Sequence, residues 1–165
     1  MIDKIYFSKF KETAIIPTKR EEDAGFDIYA CFDEPYMLIK AHQTINISTG
    51  IITAFPANVV AILKERGSTG SKGIGQRCGV IDSGYRGEWF VTLTNHNDKD
   101  IIILKNDSTE VPTNLKDIII YPYEKAIAQA LFISLAKFES TEVFPEKILN
   151  MTSERGAGKV GSSGK

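Results

Sequence analysis

Gly79-Val80-Ile81-Asp82-Ser83-Gly84-Tyr85-Arg86-Gly87 is the stretch on which the reading of this chain turns. An apolar run delivers one acid into a turn, and a tyrosine and an arginine follow three and four residues after it. Glycines at 79, 84 and 87 punctuate it, and glycine permits positive φ and close backbone approach. Apolar-rich segments on both sides of Ser83-Gly84 read as a β-hairpin. A bend carrying an acid and an aromatic, rather than plain turn residues, has the makings of a binding site. The same residues also suit an ordinary turn in which Asp82 bonds local backbone.

Working outward, strand signals dominate. Thr44-Ile45-Asn46-Ile47-Ser48 alternates polar and apolar, and Gly50 to Phe55 follows it, closed by the turn residues Pro56-Ala57-Asn58. Val59 to Leu63 is a short apolar run that suits a strand buried on both faces. Trp89 to Thr94, Ile101 to Leu104, Ile118 to Tyr121 and Ala130 to Ser134 add four more strands. Helical periodicity is weak throughout. Lys105 to Lys116 is polar, contains Pro112 and reads as an irregular loop. Many short, closely spaced strands imply an all-β sandwich or barrel.

The bulk numbers set limits. At 165 residues, 42% hydrophobic and 25% charged, the chain is long enough for a real core and unlike a disordered or disulfide-built protein. A net charge of −1 argues against nonspecific nucleic-acid binding, though not against a local cationic pocket. Met1-Ile2-Asp3-Lys4 lacks the apolar core of a signal peptide, and no apolar run has membrane-spanning length. A soluble, cytoplasmic protein is expected. Cys31 and Cys78 read as isolated small core residues. His42 and His96 read as surface or loop residues, with no HExxH and no zinc spacing.

Four further clusters carry chemistry. Glu65-Arg66-Gly67-Ser68-Thr69-Gly70-Ser71-Lys72-Gly73 follows the buried run at 59–63 and gathers amides, hydroxyls and cations suited to phosphate. It does not have Walker A spacing. Asp27, in Asp23-Ala24-Gly25-Phe26-Asp27-Ile28, sits in an apolar stretch and must find donors or a cation. It suits a Mg2+ site reached through water, or bonds to nearby amides. Gln129 lies amid small and apolar residues in Lys125 to Phe132, where its amide must be satisfied by a loop or a ligand. The last eleven residues, Arg155 to Lys165, have almost nothing apolar to bury. They carry three cations, two hydroxyls and Gly-flanked amides, the equipment of an anion clamp or of a flexible terminus.

The order of these clusters resembles the five-motif layout of the trimeric dUTPases: DAGFDIYA, ERGSTGSKG, GVIDSGYRG, AIAQALF and a terminal RGAGKVGSSG. The resemblance runs from about Pro17 to Lys165, and GVIDSGYRG is its most specific part. It implies hydrolysis of dUTP to dUMP and pyrophosphate with Mg2+ on a distorted β-barrel or jelly-roll. It also implies a homotrimer whose active sites are shared between subunits, each closed by a C-terminal arm. On that pattern residues 1–150 form the barrel domain and 151–165 the arm.

The resemblance gives each motif a role. Asp82 matches the acid that orients and deprotonates water, and Tyr85 the tyrosine that stacks on deoxyribose and leaves no room for a 2′-hydroxyl. Gly79 and its neighbours match backbone that reads the uracil edge, with Gln76 near the base. Arg66, Gly67 and Ser68 lie in the phosphate-binding motif, and Gln129 matches a phosphate-contacting glutamine. Asp27 matches an acid tied to the metal's water shell. Arg155, Val160, Gly161, Ser162 and Ser163 fall in the arm.

Four departures stand out. Arg66-Gly67-Ser68 replaces the usual Arg-Ser-Gly, Gly84 stands where an Asp is usual, and Ala126 where an Arg is common. Val160 occupies the place of an arm aromatic that stacks on uracil, a contact worth about 0.5–1.5 kcal/mol beyond area burial. Two other readings share the fold. One is a dCTP deaminase relative, although no HxE…PCxxC zinc signature is present. The other is a nucleotide-sensing or protein-binding module without turnover.

Overall fold

Strands account for nearly all the regular structure of this chain, which a computed structural model describes at residues 4–105, 117–153 and 156. In chain order they are β1 (Tyr6–Lys9), β2 (Phe26–Ile28), β3 (Tyr36–Ile39), β4 (Thr44–Ser48), β5 (Ile51–Ala54) and β6 (Val59–Lys64). A short helix α1 (Gly67–Gly70) precedes β7 (Ile74–Arg77), β8 (Val80–Ile81), β9 (Phe90–Asn95), β10 (Ile101–Leu104), β11 (Ile119–Pro122) and β12 (Ala128–Ser134). A second short helix, α2 (Pro145–Leu149), follows.

Two compact units result, Met1–Leu135 and Ala136–Lys165. Among the described residues all twelve strands lie in the first. They form four sheets, with strand orders β2-β12-β6-β8, β4-β9-β7, β11-β10-β3 and β1-β5. The all-β class expected from the sequence is therefore correct, although the sheets do not close into a barrel among the described residues.

The sheet β2-β12-β6-β8 positions the chemistry. β12 pairs antiparallel with β2, setting Gln129 opposite Asp27, and with β6, setting Gln129 opposite Lys64. Three strands thus bring Asp27, Gln129 and the end of β6 into one row. On the far edge β8 pairs antiparallel with β6, Ile81 opposite Ala61 and Val80 opposite Ile62.

The expected hairpin at 79–87 does not form. β8 joins β6, whereas β9 pairs with β4 and β7, so residues 82–89 carry the chain from one sheet to another. The chain makes the reverse switch at Cys78, whose φ of 52° is left-handed. Gly79 is required for space: a Cβ there would lie 2.4 Å from the Leu63 carbonyl oxygen. Cys78 itself is exposed, contrary to its reading as core, while Cys31 is buried. β6 also differs from expectation. Val59, Ala61 and Leu63 are buried and Val60 and Ile62 only partly so, the alternation of a strand with one core face. His42 and His96 are exposed, as read.

β10 and β11 run parallel, Ile101 opposite Ile119. A parallel pair cannot be closed by a tight turn, because the chain must travel back the length of the strand. That accounts for a long connection after Lys105; its residues 106–116 lie outside the described ones.

The core is lined by Trp89, Tyr121, Ile28, Ile47, Ile101 and Ile103, all essentially inaccessible. Phe132 on β12 packs edge-on against Phe7, Phe26 and Phe55 at centroid distances of 5.9, 5.6 and 5.2 Å, tying β1, β2 and the end of β5 together. Edge-to-face geometry sets the positive ring edge against the negative face. In the second unit Phe138, Phe144, Leu149 and Met151 are exposed, and α2 buries none of its residues. Among the described residues no helix is long and apolar enough to cross a membrane.

Asn95, fully buried at the end of β9, is the polar pivot of the core. Its Nδ2 donates to the carbonyls of Ile39, Lys40 and Lys99 at 3.1, 3.1 and 2.8 Å. Its Oδ1 accepts from the backbone N–H and the Nδ2 of Asn97, both at 3.0 Å. Asn95→Ala strands these groups away from water, and we expect a loss of about 2–3 kcal/mol, read as a lowered urea midpoint at unchanged slope.

Candidate active site

Two cavities on the first unit collect seven of the fourteen candidate site residues. The larger, about 650 Å3, is lined by Asp27, Arg66, Gly67, Ser68 and Gln129, together with Thr18 to Arg20 and Asp23 to Gly25. The smaller, about 330 Å3, is lined by Asp82, Tyr85 and Glu88, with Asn46, Cys78, Val80, Ile81, Phe90 and Thr92.

In the larger cavity Arg66, just past β6, grips Asp27 of β2 with both prongs. Nε lies 2.9 Å from Asp27 Oδ1 and Nη2 3.2 Å from Oδ2, the side chains being 29% and 33% exposed. Such fork-to-fork pairing fixes the guanidinium plane as well as its position. Nη1 donates to Ser68 Oγ at 3.3 Å and to the Ala126 carbonyl at 3.4 Å, which leaves a remaining Nη2 hydrogen for another acceptor. Tyr121, buried beneath, donates its hydroxyl to the same Ala126 carbonyl at 2.7 Å. Burial pushes the Tyr121 phenol above its ordinary pKa, so it remains a neutral donor.

The departure at 66–68 has a local resolution. Thr69 is buried, its Oγ1 accepting from Arg66 N and donating to Arg66 O, both at 2.9 Å. Ser68 lines the cavity instead, so Ser68 is the hydroxyl turned to this site. A Cβ on Gly67 or on Gly84 would meet nothing within 4 Å, so neither glycine is demanded by space.

Gln129 donates from Nε2 to the Glu65 carbonyl at 2.9 Å, which serves the neighbouring loop. Its Oε1 would sit 2.8 Å from a Cβ on Gly25, so the glycine makes room for the amide. Lys19 and Arg20 also stand on the cavity wall; in the sequence Glu21 and Glu22 separate them from the Asp23–Asp27 segment, and they look like ordinary surface charge. Arg20 pairs with Asp23 at 2.9 Å and, through that hydrogen bond, holds the Asp23 carboxyl below its ordinary range.

In the smaller cavity Asp82 is exposed at the turn that follows β8, where Tyr85 N donates to its carbonyl at 3.0 Å. Tyr85 is 44% exposed, and its hydroxyl donates to the Glu88 carbonyl at 3.0 Å. Gly79 has its carbonyl taken by Leu63 N at 2.7 Å. Gln76 lies beside it, its Nε2 donating to the Arg77 carbonyl. Glu88 was missed, although it directly follows the 79–87 stretch; Asn46 and Phe90 carried no signal. Arg155, Val160, Gly161, Ser162 and Ser163 lie outside the described residues.

The two cavities sit at opposite ends of β6. β8 meets β6 at Ala61 and Ile62, with Asp82 the next residue after Ile81, while Arg66 comes two residues after Lys64, past the other end of the strand. Ala61 and Arg66 are five residue steps of extended chain apart, about 16 Å.

Comparison with known proteins gives the family. The dUTPase family model matches residues 11–108. The deoxyuridine 5'-triphosphate nucleotidohydrolase of Buchnera aphidicola subsp. Acyrthosiphon pisum is 32% identical over 166 residues, spanning 98% of this chain and 95% of its own. The protein of the same name from Coxiella burnetii is 32% identical over 168 residues, spanning 99% and 93%. Among solved structures, the dUTPase of Staphylococcus bacteriophage 80alpha with dUpNHpp superposes with a TM-score of 0.77 at 22% identity, over 98% of this chain and 99% of that one. A dUTPase from phage phi11 of S. aureus, described with a structural Mg(II) ion, superposes at 0.68 and 18% identity, over 85% and 96%. With the family model matched over more than half its length and named relatives alike from end to end, this chain belongs to the dUTPase family.

Proposed function

We propose that this chain hydrolyses dUTP to dUMP and pyrophosphate in a Mg2+-dependent reaction, at active sites shared between the subunits of a homotrimer. The observation that carries the reading is the separation of the two cavities along β6. One gathers what a polyphosphate needs: Arg66, Ser68 and Gln129. The other holds an acid and an aromatic suited to a nucleoside and an attacking water. A single nucleotide uses both sets only if they come from different copies of the chain.

In this reading Asp82 takes the proton from a water that attacks the α-phosphorus, and pyrophosphate leaves. A lone carboxylate is a weak base toward water, so alignment must supply most of the acceleration. Arg66, held in orientation by Asp27, and the backbone amides of Gly67 and Ser68 offset charge on the phosphates. Tyr85 lies against the deoxyribose, Gly79 and Gln76 toward the base, and Gln129 toward phosphate.

Mg2+ fits as an ion held chiefly by the triphosphate. Among the described residues no three His, Cys, Asp or Glu side chains cluster, and Mg2+ favours substrate phosphates, waters and one or two carboxylates. Asp27, whose oxygens keep lone pairs beyond the Arg66 contacts, is the residue that would reach it through water. When bound, the ion would neutralise phosphate charge.

Residues 151–165 act as the arm, Arg155, Ser162 and Ser163 meeting phosphate and Gly161 and Val160 passing near the base. The exposed apolar side chains of the second unit, Phe138, Phe144 and Leu149 among them, support docking on another copy. We place the activity in the cytoplasm, with no nucleic-acid or membrane partner.

Asp82→Asn keeps the shape of the turn but cannot take a proton. Pyrophosphate release should fall by about a thousandfold while calorimetry still registers dUTP binding; wild-type turnover would remove Asp82 as the base. Deletion from Arg155 onward should lower turnover at least about tenfold, roughly 1.4 kcal/mol of transition-state stabilisation. Unchanged turnover would take Arg155, Ser162 and Ser163 out of the site. Light scattering at micromolar concentration should give three times the 18.3 kDa chain mass, and a monomer alone would contradict the shared site.

A further inference from the structure

Tyr85 is held at its hydroxyl end by two residues, Gly87 and Glu88, that have no role of their own in the proposed reaction. Gly87 lies close against that end. A Cβ at that position would come within 2.4 Å of the Tyr85 hydroxyl oxygen and 2.5 Å of Cζ. The requirement is one of space, since Gly87 does not have positive φ. At the tip of the ring the hydroxyl donates to the carbonyl of Glu88 at 3.0 Å.

That carbonyl is fixed in turn by its own side chain. The Glu88 carboxylate is 12% exposed, and one of its oxygens accepts from Ser48 Oγ and from Gly50 N, the latter at 2.9 Å. Lys11 Nζ stands 3.9 Å from the same oxygen, and also donates to Ser48 Oγ at 2.9 Å. A carboxylate so far removed from water must keep its donors, because losing them leaves an unpaired buried charge. Residue 88 is thereby pinned to the turn between β4 and β5, and the phenol is pinned to residue 88.

We infer that Gly87 and Glu88 are specificity-determining positioning residues: together they set the plane and depth of the Tyr85 ring, and so the strength with which a ribonucleotide is refused. The inference rests on the proposed dUTPase activity and on Tyr85 as the group facing the sugar. Rejecting a 2′-hydroxyl is steric, and a steric filter is only as sharp as its wall is fixed. A half-exposed tyrosine on a sheet-crossing loop has no core packing to hold it. The closely packed glycine and the carbonyl latch supply the rigidity.

The same geometry makes the test clean. Moving an exposed phenol disturbs no core contact, so Gly87→Ala should fold and trimerise normally while displacing the ring. Full-length wild type, Gly87→Ala, Glu88→Ala, Glu88→Gln and Tyr85→Ala would be compared for kcat/KM on dUTP and on UTP, with thermal midpoints alongside. We expect the dUTP-to-UTP ratio to fall at least tenfold in Gly87→Ala and Glu88→Ala, chiefly through a gain in relative activity on UTP. Glu88→Gln, which still accepts from Gly50 N, should recover much of the ratio. A merely structural role lowers activity on both nucleotides in proportion and leaves the ratio alone. If Tyr85→Ala lowers the ratio but Gly87→Ala and Glu88→Ala do not, the positioning inference is wrong and the sugar-facing tyrosine stands. If Tyr85→Ala itself leaves the ratio unchanged, the tyrosine's role is wrong and the inference falls with it. Absence of dUTP turnover in the wild type would overturn the functional reading itself, and the inference with it.

Discussion

The register between β12 and β6 is the constraint on which the rest depends. β12 lies between β2 and β6, and it sets Gln129 against Asp27 on one side and against Lys64 on the other. A shift by one residue would turn every side chain of the strand to the opposite face. Phe132, on the same strand, would leave the aromatic cluster with Phe7, Phe26 and Phe55. Core packing therefore fixes the register, and the register places a carboxylate, an amide and the approach to Arg66 side by side. No separate device is needed to assemble that cavity.

Polar groups complete what the register begins. Arg66 is oriented by Asp27, Gln129 by the Glu65 carbonyl, and Tyr85 by the Glu88 carbonyl. In each case a side chain that faces a cavity is held by a partner that does not depend on a ligand. Groups arranged in advance need little reorganisation when charge develops, which is the economy of preorganised sites. Asn95 performs the same service for the loop at 95–100, satisfying carbonyls from two separate segments.

The class of the fold was legible because β-branched and aromatic runs recur at short intervals between turn residues, as at 44–48, 101–104 and 130–134. The pairing of those runs was not. Residues 80–81 and 90–94 look like the arms of a hairpin, yet each finds its partner on a strand distant in sequence. Local pattern reports which face of a strand is apolar but not which neighbour will cover it. Cys78 illustrates the same limit: its neighbours are strand-like, but a left-handed φ at the switch between sheets turns it outward. At the site, Asp27, Arg66, Asp82, Tyr85 and Gln129 were readable because polar residues stand out in apolar or Gly-rich surroundings. Glu88 and Lys19 were not, because a charged residue beside a turn looks like ordinary surface until its partners are seen.

The distance between Asp82 and Arg66 along β6 has a genetic meaning. If each site draws its phosphate half from one copy and its nucleoside half from another, a lesion is not confined to the chain that bears it. Mixed trimers would carry a damaged Asp82 into the site of a sound neighbour, so such an allele would act dominantly in part. Two chains damaged in different halves would, conversely, still assemble some sites from their intact portions. Selection on this fold would then act on the pair of surfaces that meet, and each surface would evolve against the sequence of its own opposite edge.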